Sequence, residues 1–133
     1  QLLLQAFLQR IINGGGQIDR EYGLGKKRTD LYIRWPLIPN RYKDEEEETE
    51  YPFPMFYDIN KLQRIVIELK LKHKNSLEKV ISDGLEQTAG YVDKTGAKEA
   101  YLIIFDREND NWDEKIFVEE RPFNGLNITV FGM

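Results

Sequence analysis

Cysteine is absent from this chain of 133 residues, and histidine occurs once, at His73. Without thiols there are no disulfides and no thiolate metal sites, which fits a reducing cytoplasm and sets cytoplasmic as the expected location. With one imidazole and no thiolate, zinc is disfavoured, and any metal would be held through oxygen. No apolar run approaches the eighteen or so residues of a membrane span, and no signal peptide is visible, so no membrane partner is expected. Proline is sparse too, and unevenly spread: four of the five lie between Pro36 and Pro54.

What the chain does have is charge, and the charge is segregated. The net value of −4 argues on its face against nucleic acid. Residues 44–50 (DEEEETE) carry six acids and no base, which leaves the rest of the chain at +2. The objection to a nucleic-acid partner therefore rests on one short run. That run lies in a proline-rich stretch, 36–60, with the aromatic group YPFPMFY beside it. Proline density and like-charge repulsion predict an extended acidic loop inserted in the domain.

The organising stretch is Gln63–Lys74. Ile65, Ile67, Leu69 and Leu71 alternate with Val66, Glu68 and Lys70, a strand pattern that sends the first set to a core. Glu68 and Lys70 then stand side by side on the opposite face, roughly 6–7 Å apart along the strand. A cross-strand ion pair on a solvated face accounts equally for a bare E-x-K.

Around this strand, Leu3, Leu4, Phe7, Leu8, Ile11 and Ile12 predict a helix over 2–12, stopped by Asn13 and Gly14–Gly16. Those glycines read as a helix stop and not as a phosphate cradle. Gln17–Tyr22 and Arg28–Trp35 read as strands of a hairpin turned at GLGKK, with Asp30, Tyr32 and Arg34 on one face. Asn75–Glu78 has the form of a capping box, and a helical stripe follows from Leu77 through Lys94 until Gly96. Gln87 and Tyr91 are neighbours on that helix. Ala100–Phe105, Trp112–Glu119 and Asn127–Phe131 read as three further strands. His73 reads as a bystander at a strand end, and the Asn127 glycosylation sequon has nothing to suggest secretion.

Asp30 and Glu68, on neighbouring strands, can hold a hard divalent cation such as magnesium or manganese. Such a metal acidifies bound water and offsets phosphate charge, while a lysine beside it positions the water or stabilises developing negative charge. Asp30, then Glu68-x-Lys70, then Gln87 with Tyr91 resembles the PD-(D/E)XK nuclease superfamily, the last pair resembling the helix motif of its RecB-like branch. The blocks REYGLGKKRTDL (20–31), VIELKL (66–71), GLEQTAGYVDK (84–94), YLIIFDR (101–107), WDEKIF (112–117) and ITVFGM (128–133) are similar, in order, to the nuclease-like C-terminal domain of certain prokaryotic AAA-type ATPases.

The resemblance implies an α/β, restriction-endonuclease-like core: a mixed sheet flanked by helices, in αβββαβ order with extra C-terminal strands. It implies one domain over 1–133, a fragment of a longer chain that carries an ATPase. Asp30 and Glu68 would be metal ligands with the Leu69 carbonyl as a third, Lys70 the catalytic lysine and Gln87 the residue that positions water or substrate. Tyr91 would support the site. Glu21 would be the additional acid that many members supply, although an exposed strand glutamate accounts for it as well. Lys26, Lys27, Arg28, Lys72 and Lys74 would meet phosphates if the fold gathers their loops at one rim. The expected activity is Mg2+- or Mn2+-dependent hydrolysis of nucleic acid, DNA before RNA. The alternative expectation is a nuclease-like domain that no longer cuts and serves as a nucleic-acid-binding or assembly module.

Overall fold

A computed structural model describes residues 6, 8, 10, 16–24, 27–36 and 62–133, with backbone alone at 20–24, 27–29, 36 and 62. The expected acidic loop, Lys26 and most of the first helix lie outside these residues. Ala6, Leu8 and Arg10, the described residues of the expected first helix, are helical.

The described elements are β1 (Gln17–Leu24), β2 (Lys27–Pro36), β3 (Leu62–Lys72), α1 (Leu77–Thr95), β4 (Glu99–Asp106), α2 (Trp112–Lys115), β5 (Phe117–Phe123) and β6 (Leu126–Gly132). The strands form one six-stranded mixed sheet in the order β1-β2-β3-β4-β6-β5. β1, β2 and β3 make an antiparallel meander. β4 then pairs parallel to β3, and β6 parallel to β4, while β5 closes the edge antiparallel to β6. A parallel neighbour requires a crossover, and α1 supplies the one between β3 and β4. The protein is thus α/β. Among the described residues no helix is long and apolar enough to cross a membrane.

Strand alternation sorts the core into two faces. Leu31, Ile33, Ile67 and Ile103 pack together on one, joined by Leu8, Ile18, Ile65 and Leu69. On the other, α1 lays Val80, Ile81 and Leu85 over Leu102, Ile104, Ile128 and Val130. Tyr91 and Ala97 meet Tyr32 and Val66 on that same face. The approach of α1 to β4 is close at Gly84, where a Cβ would stand 2.7 Å from the Leu102 methyls. Any larger residue would force the Leu102 side chain or the helix to shift.

Several details differ from the sequence reading. The helix cap is Ser76, not Asn75: the Ser76 hydroxyl accepts from the Lys79 amide, and Gly96 ends the helix at a φ of 65°. Lys74, at φ 61°, occupies the residue before Asn75 and turns the chain so that the hydroxyl, one position later, meets the free amides. Trp112–Lys115 is a single helical turn capped by Asn111, so the strand expected from Trp112 begins only at Phe117. Local hydrogen bonding from the Asn111 side chain outweighs the β-propensity of its aromatic neighbours. Leu71, expected in the core, is 55% exposed. It lies beyond the last pairing of β3 with β2, which ends at Leu31↔Ile67.

This gives a direct test of the strand's faces. Ile67→Ala should cost roughly 2–5 kcal/mol, as a cavity in a packed core does. Leu71→Ala should cost less than about 1 kcal/mol, as expected of an exposed position. Urea midpoints at constant slope measure both; equal losses would overturn the burial pattern.

Candidate functional site

The α1 face of β3 carries Val66, Glu68, Lys70 and Lys72 in a row. The parallel register sets them beside Ala100, Leu102, Ile104 and Asp106 of β4. The sequence leaves open a solvated strand face for Glu68, but α1 covers it and the residue is only 5% exposed. A carboxylate is therefore inserted into an apolar row, between Val66 below and Leu102 beside it.

On the other side of Glu68, β2 and β3 have just separated. Asp30 is the residue after the last paired position, and its Oδ2 accepts a hydrogen bond of 2.9 Å from the Leu69 amide. That amide would otherwise be a free donor where the ladder ends. The Asp30 side chain thus replaces a missing strand partner and is fixed in orientation by doing so. In strand geometry the Leu69 carbonyl points to the same edge as its N–H, toward this opening.

Lys70 extends toward α1. Its Nζ donates to Gln87 Oε1 in a short contact and stands 3.5 Å from Glu68 Oε1. The ammonium is held between an amide oxygen and a carboxylate from two different elements. Tyr91, one turn further along α1, is buried beside the same group. Burial, followed by the charges of Glu68 and Asp30, pushes its phenol pKa up.

Glu68 carries the strongest electrostatic signature. Burial first, and then the Asp30 charge, push its carboxyl up to about 7, against the opposing pull of Lys70. Even a lysine at ion-pair distance does not offset the lost hydration and the second carboxylate. Glu68 Oε1 faces Lys70, whereas Oε2 is buried with no hydrogen-bond partner among the described residues. A buried carboxylate oxygen without a partner is uncommon and leaves room for a water or an ion. The Asp30 backbone amide joins Lys70 in opposing the upward shift.

The structure thus brings together Asp30, Glu68, Leu69, Lys70, Gln87 and Tyr91. Of the remaining candidates, it places Lys72, Lys74 and His73 beside other acids. Lys72 Nζ lies 3.6 Å from Asp106 and 3.5 Å from Glu108, and the Lys74 amide also donates to Glu108. His73 Nδ1 is 3.2 Å from Glu108 as well, so the single histidine faces that acid and not the site. The Lys72 ammonium is accordingly tied to two acids, and Lys74 is held there by its backbone amide. Glu108, which gathers three successive residues, carried no signal in the sequence. Glu21 lies on β1 and Lys27 and Arg28 on β2, with side chains outside the described set. Lys26 falls outside it altogether.

Among the described residues no group of three histidine, cysteine, aspartate or glutamate side chains converges on a metal position. Two carboxylates do converge, with one buried oxygen unpartnered and a main-chain carbonyl aimed at the same gap. Magnesium is characteristically held by one or two carboxylates, with water and substrate oxygens completing its shell. The residues fit such an ion. No protein-family model, no curated protein and no solved structure matches this chain.

The pKa of Glu68 has a consequence for folding. An unfolded chain releases this proton near pH 4.5, while the folded protein keeps it to about 7. The native state therefore binds more protons across that window, and its stability falls as pH rises through it. A shift of this size corresponds to about 3 kcal/mol. In metal-free buffer the wild type should lose that stability between pH 4.5 and 8, and Glu68→Gln, neutral throughout, should lack this part of the decline. Parallel thermal profiles for the two proteins would refute the assignment.

Proposed function

We propose that this protein is a metal-dependent nuclease domain of PD-(D/E)XK type that hydrolyses phosphodiester bonds in nucleic acid, with DNA as the first expectation. The observation that carries the reading is the unpartnered, buried Oε2 of Glu68, set beside Asp30 with Lys70 held by Gln87. A structural ion pair leaves the second carboxylate beside Glu68 and the bare oxygen without a use in common, whereas a cation held there engages both.

The meander, α1 and the parallel β4 are compatible with a restriction-endonuclease-like core, and the pairing of β2 with β3 ends beside Glu68, at Asp30. In this reading Asp30, Glu68 and the Leu69 carbonyl hold Mg2+ or Mn2+. Bound there, the ion would offset phosphate charge and acidify water. Lys70 Nζ orients the attacking water and stabilises negative charge as it develops on the phosphate. Gln87 Oε1 fixes the Lys70 ammonium, so its position is set before substrate arrives. Tyr91 and Val66 exclude bulk water from the inner side of Glu68, which strengthens every charge interaction there. An ATPase partner in a longer chain and a cytoplasmic setting belong to the same proposal.

Two measurements separate this from a domain that has lost catalysis. Calorimetric titration with Mn2+ should reveal a site in the wild type that is lost in Asp30→Asn. The asparagine oxygen can still accept from the Leu69 amide, so the backbone there is kept while the charge is removed. Cleavage of a mixed single- and double-stranded panel should require Mg2+ or Mn2+. Lys70→Met should lower the rate by roughly 10²-fold or more with a thermal midpoint near wild type. Metal binding without cleavage would favour the binding or assembly role; unchanged binding in Asp30→Asn would defeat the metal assignment.

A further inference from the structure

Next to the candidate site, on the same face of the sheet, lies a partly open cavity of about 210 Å3. Ile104, the parallel partner of Lys70, forms one wall, one strand spacing (roughly 5 Å) away from it. Lys72, two residues beyond Lys70 on the same face, forms part of the rim. Leu77 at the start of α1 and Phe117 at the start of β5 complete the apolar walls.

The polar rim is balanced in charge and held in place. Lys72 Nζ stands 3.6 Å from Asp106, and Lys115, its ammonium over the Trp112 ring, lines the rim together with Glu114. Asp106 accepts the amides of Glu108 and Asn109 at 3.0 and 3.2 Å, and the Asn109 side chain donates to Glu114 at 3.0 Å. Two cations against two carboxylates give no net attraction for a phosphate. Apolar walls beneath a fixed rim of donors and acceptors suit an uncharged, flat ligand with a hydrogen-bonding edge. The volume is below the roughly 300–1,000 Å3 of sites for larger molecules and suits a single ring system.

We propose that this cavity is a subsite for one unstacked nucleobase of the substrate, neighbouring the phosphate handled at Glu68 and Lys70. It rests on the hydrolytic reading above and adds a substrate class to it. A base inside a duplex is not free to enter a lateral cavity, so the strand that is cut is single at that nucleotide. Phe117 offers its ring to the base, while Asn109, Glu114 and Lys115 meet its edge. The balanced rim gives the phosphates no net attraction and leaves them to Lys70.

The test needs no cleavage. Wild-type protein, isotope-labelled, is titrated separately with guanosine, adenosine, cytidine, thymidine, ribose 5-phosphate and inorganic phosphate. At least one nucleoside should shift the amides of Lys72, Asn109, Lys115 and Gly132 saturably, and the two phosphates should not. Glu114→Trp places an indole at the rim from an exposed position and should weaken that nucleoside by roughly tenfold or more; Asn109→Trp gives the same readout from the neighbouring loop. Shifts caused by phosphate alone, no saturable shift at these amides, or wild-type affinity in both tryptophan variants would overturn the subsite. Nucleoside binding by a protein that cuts nothing would leave the cavity assigned and remove the hydrolytic reading. Efficient cleavage with no nucleoside shift would do the reverse.

Discussion

The carboxylate of Glu68 sits where the pattern of the sheet asks for an aliphatic side chain, and its surroundings are arranged around keeping it there. β3 is covered on both faces, so Glu68 has no route to bulk water through its own strand. Burying a charge without compensation costs far more than any single contact returns. The folded protein meets that cost by three means: it raises the carboxyl's pKa to about 7, sets Lys70 at 3.5 Å, and opens the sheet on the Asp30 side. Each is visible as a departure from a regular sheet.

The opening between β2 and β3 is the most economical of these. One aspartate both terminates the pairing and satisfies the Leu69 amide that the termination exposes. The same contact orients the carboxylate toward Glu68. A structural need of the backbone and the geometry of the candidate site are therefore met by one hydrogen bond. α1 adds the remaining groups, and its height above the sheet is set at Gly84, where no side chain stands between helix and Leu102. Gln87 and Tyr91 reach the site from the same helix.

The neighbouring cavity follows from the same register. Lys70 and Lys72 point to one face, and their parallel partners are Ile104 and Asp106. The first pair leads from the candidate site into an apolar wall, the second into a neutralised rim. Charge thus differs along the face: Lys70 stands beside two carboxylates, Glu68 and its neighbour Asp30, while Lys72 is matched by Asp106 in the register.

Much of this was legible from residue order alone. Alternation in 65–70 named the strand and its two faces, the three-four spacing after Leu77 named the helix, and Asp30, Glu68, Lys70, Gln87 and Tyr91 were singled out by their order and the nuclease motif it resembles. Such signals are local, since strand and helix periodicities are properties of consecutive residues. Burial of Glu68, exposure of Leu71 and the single turn at Trp112–Lys115 were not legible. Each depends on where a strand pairing stops or on which side chain caps a few residues of backbone. Glu108 became a partner of Lys72, His73 and Lys74 only through the parallel register of β3 with β4, which joins Lys72 to Asp106 and so brings Glu108, 36 positions along the chain, beside it. The sequence by itself determined the elements, their order and the chemical character of the candidate residues. Tertiary structure alone decided which of those residues share one small volume, because hydration, pairing and proton affinity depend on neighbours that the linear chain does not specify.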